Sequence, residues 1–132
     1  MARLTIPVAA LVAALMAGAV LCGCASSSHA KTETTALHSA VEDYSAAYLS
    51  GEGGAAWNLL SSRCKGRISK SEMRTMTTLA AKKYGAKPIM TLTIDSISGG
   101  MARVTYTYSQ AAINQVKEPL VREGDQWRED YC

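Results

Sequence analysis

The chain has 132 residues, of which 14 are Lys or Arg and 11 are Asp or Glu, giving a formal net charge of +3. The basic residues are scattered and form no run interleaved with aromatic residues, which argues against nucleic acid as a partner. Hydrophobic residues make up 48% of the chain. Its length is enough for one domain with a core of its own.

The N-terminal segment combines a short positive start with an apolar run. Arg3 is its charged residue, and residues 7–21 carry no charge. Such a run is long enough for the core of a signal peptide but marginal for a bilayer span, which needs about 20 apolar residues. It ends in Leu21-Cys22-Gly23-Cys24, which resembles the bacterial lipobox, with Leu at −3, a small residue at −1 and Cys at +1. Cys22 at −2 departs from the usual Ala or Ser.

The lipobox resemblance predicts that residues 1–23 are a signal peptide, and that Cys24 carries diacylglyceryl and palmitate chains after cleavage. The protein would then be an exported lipoprotein, held by lipid at the extracytoplasmic face of a cell membrane. An uncleaved membrane anchor is the alternative. Residues 24–34 are small and polar and predict a flexible tether, which leaves residues 35–132 as the folded domain.

The four cysteines divide into two groups under this interpretation. Cys22 leaves with the signal peptide and Cys24 is lipidated, so Cys64 and Cys132 remain as an even pair. Outside the cytoplasm a disulfide between them is the default expectation. Two cysteines and two poorly placed histidines do not supply four ligands at a recognisable spacing. We therefore predict no metal site and no cofactor.

Three helices are predicted in the first half of the domain. Over residues 35–50 the apolar side chains form one stripe of an amphipathic helix, and residues 54–60 suit a short second helix. The third covers residues 70–84. Ser69 and Glu72 fit a capping box at its start, which is the clearest helix signal in the chain.

In the second half of the domain the hydrophobic period changes from 3.6 to 2, which predicts strands. Residues 90–95 and 102–108 alternate between apolar and polar, and a Ser-Gly-Gly turn joins them as a β-hairpin. A third strand is predicted over residues 111–122, where Pro119 marks a bulge, an edge or a break. A fourth covers residues 126–132. Helices followed by antiparallel strands indicate an α+β domain with helices packed on a curved sheet.

This order of elements resembles the NTF2-like superfamily, the cone-shaped fold shared by scytalone dehydratase and ketosteroid isomerase. Residues 118–128, EPLVREGDQWR, look like the end of NTF2-like lipoproteins from actinobacteria of the mycobacterial type. Residues 51–60, GEGGAAWNLL, look like the passage that joins their first two helices. The resemblance covers about residues 35–132. It implies an NTF2-like cone, and a bridge between Cys64 and Cys132 like the one common in those lipoproteins.

The cone of this fold usually encloses a pocket between the sheet and the first helix. The resemblance therefore implies a site for an apolar or aromatic ligand, with tyrosine hydroxyls as its polar groups. The candidate lining residues are Tyr44, Tyr48, Trp57, Met90, Leu92, Tyr106, Tyr108 and Trp127. The alternative is that these side chains fill the core, because the chain has no Phe.

The resemblance also raises the question of catalysis, since enzymes of this superfamily place Asp, His or Tyr groups deep in the cone. Here Asp43, Asp95 and Asp130 fall on polar faces, and His38 lies outside the apolar stripe. Neither a P-loop nor a Ser/His/Asp order is present. We therefore expect a non-catalytic cell-envelope lipoprotein that binds a partner protein or a small apolar ligand. The alternative is a small isomerase or hydrolase-like enzyme that uses a buried Asp/Tyr pair.

The last predicted strand contains one conflict. Trp127 is expected to face the core, and the strand period then points Glu129 and Tyr131 the same way. Arg128 and Asp130 would lie on the opposite face. Glu129 therefore strains the alternation of this strand.

Overall fold

The structure is a computed structural model and describes residues 25–132; the predicted signal peptide and the lipidation site at Cys24 lie outside the described residues. In the described part, the helices are α1 Ala25–Leu49, α2 Gly53–Asn58, α3 Ser62–Lys65 and α4 Lys70–Tyr84. The strands are β1 Thr91–Ser98, β2 Met101–Thr107, β3 Gln115–Glu123 and β4 Gln126–Glu129, with a 3-10 helix at Ala111–Ile113. Within residues 25–132, no helix is long and apolar enough to cross a bilayer.

Helix α1 begins earlier than its apolar stripe predicts. The segment expected to be a flexible tether, residues 24–34, is helical from its second residue onward. The hydroxyls of Thr34 and Thr35 donate to carbonyl groups four residues earlier, at 3.0 and 2.9 Å, so they bond within the helix. Glu33 also forms an ion pair with Arg122 of β3 at 3.0 Å, which ties these early turns to the sheet. Composition alone predicted no such tertiary contact.

The main core lies between α1 and the inner face of the sheet. Its buried members are Leu37, Val41, Leu49, Ala80, Ala102, Val104, Tyr106, Tyr108, Leu120 and Trp127. The predicted stripe of α1 and the predicted inward face of β2 are thereby confirmed, as is the burial of Trp127. A second cluster joins the helices to one another and consists of Ala47, Ala56, Leu60, Cys64 and Met73.

Helix α4 begins as its capping box predicts. The Ser69 hydroxyl accepts a hydrogen bond from the Glu72 N–H at 3.1 Å, and the Glu72 carboxylate accepts one from the Ser69 N–H at 2.7 Å. The helix then turns Met73 and Thr77 inward and ends at Gly85, whose φ is +71°. The capping box and Gly85 define where α4 begins and ends, and the buried Met73 and Thr77 define the face that it packs against the domain.

The strands form an antiparallel meander in the order β1-β2-β3-β4, with the helices packed against it, so the predicted α+β class is confirmed. Residues 99–100 are glycines at positive φ and make the turn of the first hairpin. In β3 a bulge places Val116 and Lys117 opposite Thr105 of β2, two residues before Pro119. The bulge that Pro119 suggested is therefore present beside it.

The chain before β3 differs from the prediction. Residues 111–113 form a 3-10 turn instead of the start of a strand. The side chain of Asn114 stabilises this turn, because its Oδ1 accepts a hydrogen bond from the backbone N–H of Tyr108 at 2.8 Å. At the other end, β4 stops at Glu129 rather than running to Cys132.

A disulfide joins Cys64 of α3 to Cys132, as predicted, with their Cα atoms 5.6 Å apart. Beside it, the Ser61 N–H donates to the Glu129 carbonyl at 2.8 Å, and the Glu129 N–H donates to the Leu59 carbonyl at 3.1 Å. On the other side of Glu129, β4 pairs with β3. The backbone of Glu129 is therefore held from both sides, which fixes the direction of its side chain.

Candidate functional site

A cavity of about 210 Å³ opens between α1, α4 and the inner face of the sheet. Its lining residues are Tyr44, Ser45, Tyr48, Leu49, Ile68, Met73, Met76, Tyr84, Tyr106, Tyr108, Ile113, Gln115, Glu118 and Tyr131. All six tyrosines of the chain are among them. Of the described residues that line the cavity, Glu118 is the charged one, and none is Lys, Arg or His. The cavity is thus mainly apolar, with tyrosine hydroxyls and one carboxyl group as its polar features.

Helix α1 supplies the first wall. Tyr44 and Tyr48 are four residues apart, so their rings lie on the same face of the helix, with centroids 5.8 Å apart. Between them along the chain, the buried Ser45 places its Oγ 2.5 Å from the hydroxyl oxygen of Tyr108. This hydrogen bond connects α1 to the end of β2 across the cavity wall.

Strand β2 and its extension supply the opposite wall. Tyr106 and Tyr108 are two residues apart and therefore point to the same side of the sheet, where their rings meet edge to face with centroids 5.8 Å apart. Both rings are buried. The wall is consequently rigid, because each tyrosine is packed by its neighbour and Tyr108 is also bonded to Ser45.

Two carboxyl groups accompany these tyrosines. Leu120 of β3 points into the core, so Glu118, two residues earlier, points to the same side. Glu129 lies directly opposite Leu120 on β4, and its side chain is directed inward for the same reason. Both glutamates are buried, although glutamate side chains are seldom buried in folded proteins.

Glu129 is the less satisfied of the two. Its side chain is only 2% exposed, and neither carboxylate oxygen has a hydrogen-bond partner of good geometry among the described residues. Burial raises the pKa of this carboxyl group, and the nearby Glu118 adds a smaller increase, so that together they bring it from 4.5 to about 8. The backbone amides of Asp130 and Tyr131 lie close enough to lower the pKa slightly. Near neutral pH the group therefore binds a proton.

Burial shifts the pKa values of the other ionisable groups of the site in the same direction. Burial raises the pKa of Glu118, with Arg103 acting in the opposite direction. Burial also raises the pKa of the Tyr44 and Tyr106 hydroxyls far above their ordinary value, and the charge of Glu129 adds to this. The tyrosine hydroxyls stay protonated and can act as hydrogen-bond donors and acceptors, not as bases.

The structure brings together half of the predicted pocket residues. Tyr44, Tyr48, Tyr106 and Tyr108 line the cavity as expected. Trp57, Met90, Leu92 and Trp127 do not line it. Sequence reasoning also missed other lining residues, among them Ser45, Met73, Tyr84, Ile113 and Tyr131. Tyr84 had a signal, since it lies on the apolar stripe of the third predicted helix.

Each misplaced residue has a physical reason. The indole N–H of Trp57 donates to the Ile68 carbonyl at 2.8 Å, which holds the ring in the helical cluster. Met90 precedes the first strand and is 65% exposed. Leu92 and Trp127 pack against the main core, where Trp127 is 4% exposed. The predicted list therefore combined residues that line the cavity with residues that pack in the core or lie on the surface.

The acidic residues considered for catalysis lie elsewhere. Asp43 and Asp95 are exposed. Asp130 is paired with Arg63 at 3.0 Å and accepts a hydrogen bond from the Ser61 hydroxyl. The carboxyl groups that accompany the buried tyrosines are glutamates, not the aspartate that was expected. Among the described residues, no three His, Cys, Asp or Glu side chains are grouped closely enough to hold a metal ion.

The fold and the cavity define an α+β domain whose four-stranded antiparallel meander carries a tyrosine-lined pocket under its helices. No protein-family model matches the chain, and comparisons with curated proteins and with solved structures found no match either.

Proposed function

We propose that this protein is an exported lipoprotein, anchored through Cys24 at the extracytoplasmic face of a cell membrane, whose NTF2-like cone binds a small, mainly apolar ligand. The observation that carries the ligand-binding role is the gathering of all six tyrosines around one cavity. The lipobox at Leu21–Cys24 supports the anchoring. The disulfide between Cys64 and Cys132 supports an oxidising compartment.

The arrangement of the cavity supports an NTF2-like cone. The helices precede an antiparallel meander, and the cavity opens between α1 and the inner face of the sheet, where that fold encloses its pocket. The concave shape favours a small molecule over a partner protein as the occupant. An apolar cavity of about 150 Å³ is known to bind benzene, so a cavity of about 210 Å³ has room for a substituted aromatic ring.

Titration of the purified full-length protein with toluene tests the proposal, with binding followed by calorimetry. The variant Met76→Trp places a large ring at the opening of the cavity, where Met76 is 40% exposed. Leu79→Trp is the matched control, because Leu79 lies one turn further along α4, is 62% exposed and does not line the cavity. We expect Met76→Trp to weaken binding about tenfold or more and Leu79→Trp to leave it unchanged. No binding to the parent protein would contradict the proposal.

A second candidate function is proton transfer, and Glu129 is the observation that favours it. A carboxyl group with a pKa of about 8 is close enough to neutral pH to give up and take back a proton there. Glu129 itself does not line the cavity, however, whereas Glu118 does. Exchange of the methyl protons of acetophenone in D2O tests this function directly. Exchange that the parent protein accelerates and Glu118→Gln does not would establish catalysis, and absence of acceleration in the parent would eliminate this candidate.

A further inference from the structure

We propose that the ligand of the tyrosine cavity is an organic cation, an apolar body that carries an ammonium group. The inference rests on the proposed ligand-binding function and names the chemical class of the ligand. It is carried by three features of the described residues: the sign of the charge at the cavity, the aromatic rings around it, and a nearby buried carboxyl group without a hydrogen-bond partner of good geometry.

The charges at the cavity have one sign. Glu118 is its charged lining residue, and Glu129 is buried next to Glu118 and among Tyr44, Tyr106 and Tyr108. An anionic ligand would be repelled by the carboxylate of Glu118. A neutral apolar ligand would cover Glu118 without pairing its charge, which is costly in a site from which water has been removed. A cationic ligand is the class that gains from the charge of Glu118, and it would also favour the ionised form of the nearby Glu129.

The chain places its own cations near this site without filling it. Arg103, on β2, lowers the pKa of Glu118, but it is exposed and donates to the Lys117 carbonyl at 3.3 Å. Lys83 has its Nζ 5.0 Å from the centre of the Tyr84 ring, yet it is exposed and does not line the cavity. The lining of the cavity is therefore left with one acidic side chain, Glu118, and no basic side chain among the described residues.

The tyrosine rings favour the same ligand. An ammonium group within about 6 Å of an aromatic centroid is attracted by the negative face of the ring, and cages of aromatic side chains use this attraction to hold quaternary ammonium groups. Here six tyrosines surround one cavity, and burial raises the pKa of the Tyr44 and Tyr106 hydroxyls, which favours their protonated forms. The aromatic walls hold the apolar body, while Glu118 supplies the counter-charge for the ammonium group.

The buried carboxyl group of Glu129 also supports a cationic ligand. Both of its carboxylate oxygens lack a hydrogen-bond partner of good geometry among the described residues. Buried polar groups are ordinarily paired, so an unpaired carboxyl group beside a cavity points to a partner that arrives with the ligand. A nearby positive charge would favour the ionised forms of Glu129 and Glu118.

Two isosteric probes separate this inference from the proposed function. Benzyltrimethylammonium and neopentylbenzene have the same shape and differ in one charge. Calorimetry on the purified full-length protein at neutral pH should show benzyltrimethylammonium binding about tenfold or more tightly than neopentylbenzene. Toluene should compete with both probes, because they share one cavity.

Matched variants locate the charge that matters. Glu118→Gln should abolish the preference for the cation, because it removes the counter-charge of the ammonium group, while neopentylbenzene should still bind. Glu42→Gln, the control, removes the same charge from an exposed position on α1 and should retain the preference. Equal binding of the two probes to the parent protein would overturn the cation inference and leave the proposed apolar-ligand function standing. A preference that survives Glu118→Gln would also overturn the inference. If neither probe binds at millimolar concentration, both proposals fail.

Discussion

Glu118 on β3 and Glu129 on β4 share the inner face of the sheet, and both carboxyl groups are buried beside the tyrosines. Their proximity has an energetic consequence, because the charge of Glu118 raises the pKa of Glu129 beyond what burial alone would do. The two groups cannot both ionise without a penalty. A property of the whole domain, its stability as a function of pH, therefore depends on this pair.

The first prediction concerns the pH dependence of stability. Glu129 has a pKa of 4.5 when exposed and about 8 in the folded protein. The folded state therefore binds more protons between these pH values, so its stability falls as the pH rises through them. The contribution is fully present below pH 4.5 and lost above pH 8, a change on the order of 5 kcal/mol. Glu129→Gln should be as stable as the parent near pH 4 and more stable at pH 9.

Urea unfolding of the parent and the variant across this pH range measures the effect. Glu42→Gln serves as the control, since Glu42 is exposed, and it should follow the parent curve at every pH. Part of the pH dependence should remain in Glu129→Gln, because burial also raises the pKa of Glu118. Parallel curves for parent and Glu129→Gln would mean that Glu129 is not the buried acid described here.

The second prediction concerns Trp127, which closes the main core from β4. Trp127→Ala should reduce the free energy of unfolding by about 3–5 kcal/mol, because the lost transfer energy and the cavity left behind add together. Leu79→Ala, at an exposed position of α4, should change it by less than about 0.5 kcal/mol. Denaturant unfolding distinguishes the two. A loss below about 1 kcal/mol for Trp127→Ala would mean that the register of β4 is wrong.

The third prediction concerns the disulfide between Cys64 and Cys132. It closes a loop with a sequence separation of 68, so its removal by Cys64→Ser should cost roughly 2–5 kcal/mol. Cys132→Ser should cost the same, and the double variant should cost no more than either single one, since all three remove one bond. Mass measurement after alkylation checks the premise. Detection of two free thiols in the mature protein would show that the bridge does not form in its native compartment.

The fourth prediction concerns anchoring. Cys24→Ala removes the proposed acceptor of the diacylglyceryl group, and two acyl chains are what stable membrane attachment requires. The variant should move from the membrane fraction to the soluble fraction or accumulate with its signal peptide uncut. Cys22→Ala is the control and should be processed and anchored like the parent, because position −2 carries no lipid. Identical membrane fractionation of Cys24→Ala and the parent would refute anchoring through Cys24.

Local sequence signals predicted the framework of the domain. The capping box at Ser69 and Glu72 fixed the start of α4, and the glycine pair fixed the first hairpin. The parity of the cysteines predicted the disulfide. These signals act over a few residues or follow from a count, so they do not depend on how the elements pack.

The site depended on packing and was predicted only in part. Tyr44, Tyr48, Tyr106 and Tyr108 were found because they repeat at helix or strand spacing. Glu118 was missed because a charged residue on a strand ordinarily faces solvent. The strand alternation did place Glu129 on the same face as Trp127, but a charged residue on that face conflicted with the expected pattern of the strand.

The remaining misses have tertiary causes. The early turns of α1 contact the sheet through the ion pair between Glu33 and Arg122, which are far apart in the chain. Met90 lies outside the pocket because β1 begins one residue after it. Trp57 lies outside it because α2 presents the ring to Ile68. None of these contacts has a local pattern that the sequence displays.

Selective isotope labelling of tyrosine tests the central claim most directly, because every tyrosine of the chain lines the cavity. Titration of the labelled full-length protein with toluene should shift the ring signals of the half-buried Tyr44 and of the buried Tyr106 and Tyr108 in one saturable process. The indole signals of Trp57 and Trp127 should stay close to their starting positions. Tyrosine signals that remain unmoved, or shifts confined to the exposed Tyr131, would contradict a ligand-binding cavity in this domain.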